Sequence, residues 1–162
     1  YRPRTGCRID LADWLQIGGA LAWTDARYTN NVAQVGADTF YFGPYADAPD
    51  FSGSAFVRAE RDLGAPGTLV LRGEVYGQSH LYYSNLDSTS QPGTRIGGYH
   101  LFNARAELNG IGGSPGSAAA YVRNLTNEKY EAGGIALSSM TGSNATLPGA
   151  PRIYGIEVGV TF

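Results

Sequence analysis

The clearest regularity in the chain is a period of two at its C-terminal end. Between Arg152 and Phe162, the residues Tyr154, Ile156, Val158, Val160 and Phe162 are large and apolar. Ile153, Gly155, Glu157, Gly159 and Thr161 stand between them and are mostly small or polar. Such alternation puts the two sets on opposite faces of a strand. The same period recurs upstream. Leu15, Ile17, Leu21 and Trp23 alternate with Gln16, Gly18, Ala20, Ala22 and Thr24. Leu69, Leu71, Val75 and Leu81 alternate with Arg72, Glu74, Gln78 and His80, and Phe102, Ala104, Ala106 and Leu108 with Asn103, Arg105 and Glu107. Shorter runs fall at 54–62 and 117–123, the first weakened by Phe56, which lands on the charged side. The pattern predicts about six strands, over 14–28, 54–62, 68–83, 99–109, 117–123 and 152–162.

The connections alternate too. Leu63–Gly67 and Gly110–Gly116 are short and carry the Gly and Pro of tight turns, whereas 29–53, 84–98 and 124–151 are long. Tight periplasmic turns and long extracellular loops mark outer-membrane barrels; a soluble sandwich has no physical reason to sort its loops by length. With the short turns periplasmic, Phe162 ends at the inner interface, while Tyr28, Tyr82, Tyr83 and Tyr99 fall near an outer aromatic girdle. The expected fold is all-β, an antiparallel up-and-down transmembrane β-barrel segment. An open sheet in lipid would expose on the order of ten unpaired backbone groups per edge, at several kcal/mol each. A stability margin of roughly 5–15 kcal/mol does not survive that. Six strands also fall below the smallest bacterial barrels of about eight. The chain is therefore part of a longer barrel, shares one with other chains, or holds two strands more than the pattern shows. The first is the expectation, with 1–13 a periplasmic lead-in and 14–162 the C-terminal strands.

Composition agrees. Glycine (23) and tyrosine (11) are abundant and Lys129 is the only lysine, which favours strands and turns over helices. No apolar run reaches the roughly 18 residues of a transmembrane helix, which says nothing against a barrel. A net charge of −2 gives no footprint for nucleic acid. Cys7 has no second cysteine to bridge. The chain starts at Tyr1 without an initiator methionine, as expected of a processed product or a piece of a longer protein.

Three stretches carry a family likeness: Trp23-Thr-Asp-Ala-Arg-Tyr28, Asn124-Leu-Thr-Asn-Glu-Lys-Tyr130 and Pro148-Gly-Ala-Pro-Arg-Ile-Tyr154. In this order, and ending on Phe162, they resemble the C-terminal barrel of TonB-dependent receptors, the ligand-gated transporters of Gram-negative outer membranes. The resemblance spans 14–162; residues 1–13 depart from the family's usual preceding hairpin. It implies a plugged barrel of about 22 strands, of which this chain supplies the last six. It also implies import of a scarce nutrient, such as an iron-siderophore, cobalamin or an oligosaccharide. The partners implied are outer-membrane lipid, the remaining barrel strands and plug, TonB through the N-terminal part, and the nutrient. The alternating set Tyr154, Ile156, Val158, Val160 and Phe162 resembles the signal read by the barrel-assembly machinery.

The inward set is Arg72, Glu74, Gln78, His80, Arg105, Glu107, Arg123 and Glu157. Alternate charges on adjacent strands pair across a ladder, so an interlocked wall is expected before any ligand role. In the first long loop, Tyr41, Phe42 and Tyr45 are candidates for ligand stacking, with packing between loops an equal alternative. Asn124, Thr126 and Asn127 suit a turn. His80 and His100 lack a third ligand at diagnostic spacing, and Asp38, Asp47 and Asp50 match no calcium loop, so neither metal nor cofactor is expected. No motif frames a nucleophile beside either histidine, so an enzyme is not expected. The alternatives are a small or multi-chain outer-membrane barrel (a pore, an adhesin or a lipid-modifying enzyme) and a soluble β-sandwich binding module.

Overall fold

The computed structural model describes residues 5–86 and 93–160. Phe162, expected at the inner interface, lies outside them. In chain order the strands are β1 (Thr5–Ala12), β2 (Leu15–Trp23), β3 (Val32–Val35), β4 (Asp38–Tyr41), β5 (Phe51–Asp62), β6 (Thr68–Gln78), β7 (Leu81–Tyr82), β8 (Arg95–Ile96), β9 (Tyr99–Asn109), β10 (Gly116–Arg123), β11 (Glu131–Ile135), β12 (Ala145–Pro148) and β13 (Ile153–Val160). A one-turn helix, α1 (Ser138–Thr141), sits between β11 and β12.

Among the described residues the main sheet has seven strands in the order β1-β2-β5-β6-β9-β10-β13, every neighbouring pair antiparallel. It is an up-and-down meander. The other strands form three hairpins, β3–β4, β7–β8 and β11–β12, all inserted at one rim in the three long loops. Short turns join β1 to β2, β5 to β6 and β9 to β10 at the opposite rim. In one of them Gly67 takes φ 112°, and a Cβ there would collide with the Asn109 carbonyl. The Asp62 carboxylate accepts from the Gly64 N–H at 2.8 Å in the same turn.

The sheet has one strand more than the sequence pattern predicts. Residues expected in a lead-in form β1, paired with β2 from Thr5↔Leu21 to Ala12↔Leu15. The β1–β2 turn, Asp13-Trp14, contains neither Gly nor Pro, so nothing punctuates the sequence there. The first and third predicted strands are also shorter than expected, ending at Trp23 and Gln78. Beyond Gln78, the Ser79 N–H donates to the Phe51 carbonyl at 2.8 Å and the Ser79 Oγ accepts from the Phe51 N–H at 3.1 Å. This closes the ladder before the chain departs into β7.

Register separates two faces. One carries Leu15, Ile17, Leu21, Trp23, Phe51, Val57, Leu71, Val75, Phe102, Ala106, Ala120, Val122, Tyr154, Ile156 and Val158 in adjacent register. Its large side chains stand open, with Ile156 81% and Val158 80% exposed. A sandwich would cover this face with a second sheet, and none lies over it among the described residues. So broad an apolar surface matches a sheet whose solvent is lipid. β2 spans 9 residues, which at about 3.3 Å per residue and a tilt near 40° is a height of about 23 Å, close to the apolar band of outer-membrane barrels. Trp14 and Trp23, both exposed, stand at the two ends of β2. Among the described residues the buried hydrophobic side chains are Tyr83, Ile96 and Ala119. Two of the three lie in the loops, so the packed core sits at the rim and not within the sheet.

Candidate functional site

The second face is polar. One row across it reads Gln16–Arg58–Arg72–Arg105–Tyr121–Gly155, each residue opposite the next on six consecutive strands. Three arginines thus stand directly abreast, an arrangement that repels. Relief comes from within each strand, because residues two apart share a face. Arg58 pairs with Glu60, Arg72 with Glu74 at 2.6 Å, and Arg105 with Glu107 at 2.9 Å. Arg105 also reaches Glu157 on β13 at 2.7 Å. It does so across β10, where the small Ala119 lies between Glu107 and Glu157 in register. The pairs are partly exposed and screened by solvent, so each is worth little by itself, and the shared Arg105 joins β9 to β13 across β10.

Of the inward charged set, the structure brings Arg72 to Glu74 and Arg105 to Glu107 and Glu157. Arg123 lies over the Tyr121 ring at 5.4 Å. Gln78 accepts from the Tyr76 hydroxyl at 2.9 Å, and His80 meets Tyr82 edge-on at 6.0 Å. His100 lies over Gly77. Among the described residues no three metal-ligating side chains come together.

Phe56, anomalous in the sequence, belongs to the polar face. Its ring lies over Gly18 on β2, and the Arg72 guanidinium covers it at 4.4 Å. The cation and the aromatic face attract, which reconciles an apolar ring with a charged wall. Near the rim that carries the hairpins, Tyr76, Tyr99 and Tyr130 form a ladder with centroid spacings of 6.2 and 4.3 Å. The Tyr130 ring occupies the space above Gly149. The sequence pattern missed this ladder, because Tyr130 arrives from a loop.

Of the loop aromatics, Phe42 stacks on Tyr28 at 5.0 Å and Tyr45 approaches the same ring at 5.3 Å. Tyr41 ends β4, is exposed, and shares in no ring stack among the described residues. The cluster is therefore Tyr28–Phe42–Tyr45. Asn124 takes the left-handed φ of 52° and is buried. Its Nδ2 donates to the carbonyls of Glu128 (2.9 Å) and Ala150 (3.0 Å), its Oδ1 accepts from the Glu128 N–H (2.8 Å), and its N–H donates to Asn103 Oδ1 (3.0 Å). Asn124 ties the exit of β10 to the start of β13. In the second loop, burial pushes the Tyr83 phenol above its ordinary range, and the Glu131 carboxylate pushes the same way.

A meander with long hairpin-bearing loops at one rim, one apolar face and one salt-bridged polar face defines a wall segment of an antiparallel up-and-down β-barrel. The crystal structure of the ferric yersiniabactin uptake receptor FyuA from Yersinia pestis contains a similar segment. The two align with a TM-score of 0.76 and 18% sequence identity over 96% of this chain and 22% of that one. The chain thus spans about a fifth of that receptor's length, and the likeness is one of fold. No protein-family model matches the chain, and no curated protein matches it.

Proposed function

We propose that this chain is the C-terminal part of the barrel of a TonB-dependent receptor in a Gram-negative outer membrane. It supplies barrel wall and three outer loops to a protein that binds a scarce nutrient, such as an iron-siderophore, cobalamin or an oligosaccharide. Import is driven by TonB through a plug and coupling segment elsewhere in the receptor. The observation that carries this reading is the sorting of the meander: short turns at one rim, hairpin-bearing loops at the other, and an apolar band about 23 Å high between them. The fold likeness to a siderophore uptake receptor supports the substrate class. In this reading the Arg58–Arg72–Arg105 row faces the lumen and the Tyr28–Phe42–Tyr45 cluster stands at its outer mouth as the candidate ligand surface. Tyr154, Ile156, Val158 and Val160 face lipid and, with Phe162, form the assembly signal.

The test is growth of the source cell on the complexed nutrient as sole source, with and without the gene for the complete protein and with and without TonB. Growth that needs both supports the reading; detergent-free recovery of the complete protein as a soluble monomer overturns it. Val158→Asp or removal of Phe162 is expected to deplete the protein from outer-membrane fractions.

A further inference from the structure

Two-stranded hairpins are marginal by themselves in water, yet three of them are ordered at the outer rim. The third loop is held to the sheet by Tyr130 on Tyr99 and by Asn124 on Asn103, and the contacts between loops converge on the second one. From the first loop, the Gly43 N–H donates to the Asn85 carbonyl at 3.1 Å, the Asp47 N–H to the Tyr82 carbonyl at 2.8 Å, and Phe42 forms a β-bridge with Leu86. Within the second loop the Tyr83 N–H donates to the Thr94 carbonyl at 3.0 Å and its hydroxyl to the Gly93 carbonyl at 2.9 Å. On the far side the Tyr83 ring packs on Gly134 of the third loop, where a Cβ would come within 2.7 Å of the ring carbons. Tyr83 is 8% exposed, and Ile96, opposite Leu81 in the same loop, 1%.

We propose that Tyr83 is a positioning residue for the outer mouth. Its ring and backbone weld the three long loops into one cooperative unit, so that a disturbance in the third loop reaches the Tyr28–Phe42–Tyr45 cluster in the first. The route is contiguous: Gly134, the Tyr83 ring, the backbone of 82–86, then Phe42 and Asp47. The loops then order and loosen together, and a ligand that fastens one fastens all three. The inference rests on packing alone and stands whatever the barrel imports.

Gly134→Ala tests it. Residue 134 lies in a different loop from the Tyr28–Phe42–Tyr45 cluster, and its added methyl must displace the Tyr83 ring. Backbone hydrogen exchange is followed by mass spectrometry on the complete membrane-extracted protein. Exchange in residues 38–47 is expected to rise about tenfold or more, with β5, β6 and β9 unchanged. Tyr83→Ala is expected to do the same, while Tyr83→Phe, which keeps the ring on Gly134, stays within about threefold of the unaltered protein. Loosening confined to the second and third loops overturns the proposal, as does a Tyr83→Phe variant as loose as Tyr83→Ala.

Discussion

The far end of the Tyr121 ring covers Gly155 on the neighbouring strand, and a Cβ at Gly155 would collide with the ring's Cζ and hydroxyl. The ring can lie along the polar wall only because that position has no side chain. Gly155→Val is therefore expected to lift Tyr121 and destabilise the sheet by roughly 1–3 kcal/mol, the usual cost of overpacking. Urea unfolding in lipid vesicles, followed by tryptophan emission, measures it.

The Arg105 guanidinium joins Glu107 and Glu157 across two strands. Arg105→Gln is expected to destabilise the wall slightly, and a double-mutant cycle with Glu157→Gln to return a small favourable coupling. Salt at about 1 M shortens the screening length to about 3 Å and should shrink that coupling. A coupling of zero at low salt would show the pair to be energetically silent.

Neighbouring residues on β13 face opposite ways, so Ile156 and Glu157 should respond oppositely to charge. Ile156→Arg is expected to cost about 2–4 kcal/mol of membrane folding, while Glu157→Gln leaves insertion nearly unchanged. Heat-modifiable gel mobility after folding into vesicles separates the two. Equal tolerance would contradict the face assignment.

The Tyr83 phenol is raised by burial first and by the Glu131 carboxylate second. A raised folded-state value means that the neutral phenol is favoured in the folded loops. Its stabilisation is complete below the ordinary tyrosine range and is lost as pH climbs through the raised value. Alkaline pH should therefore loosen the outer loops before the barrel wall, and Tyr83→Phe should remove that dependence. Hydrogen exchange, corrected for its intrinsic pH dependence, reads both.

Asn124, in a left-handed conformation, makes three hydrogen bonds with its side chain, donates its N–H to Asn103 and accepts from the Asn127 N–H at its carbonyl. Asn124→Ala loses the three that its side chain makes and keeps an unfavourable φ, at an expected cost of about 2–4 kcal/mol to the 124–152 segment. Asn124→Gly relieves the backbone but restores none of those bonds, so it should recover only part of the loss. Limited proteolysis within 124–152 reports the order.

Much of the wall was legible in advance. Residues 99–109 form a strand with the expected bounds, because Phe102, Ala104, Ala106 and Leu108 alternate without interruption. β1 escaped because its turn lacks the usual punctuation, and Phe56 looked misplaced because the glycine and arginine that accommodate it are remote in sequence. The candidate site was less legible. Phe42 and Tyr45 lie together, but the residue that gathers them is Tyr28, from the other end of their loop.

By itself the sequence determined the period of each strand, hence which side chains share a face, and the sorting of short turns from long loops. These are local properties, since alternation follows from the pleat whatever the partner strand. The tertiary structure decided which faces meet in which register. Only there do Arg58, Arg72 and Arg105 stand abreast, Tyr121 cover Gly155 and Tyr83 close on Gly134. Such contacts join residues from 14 to 51 positions apart, and their geometry depends on strand pairing and close packing that no local period encodes.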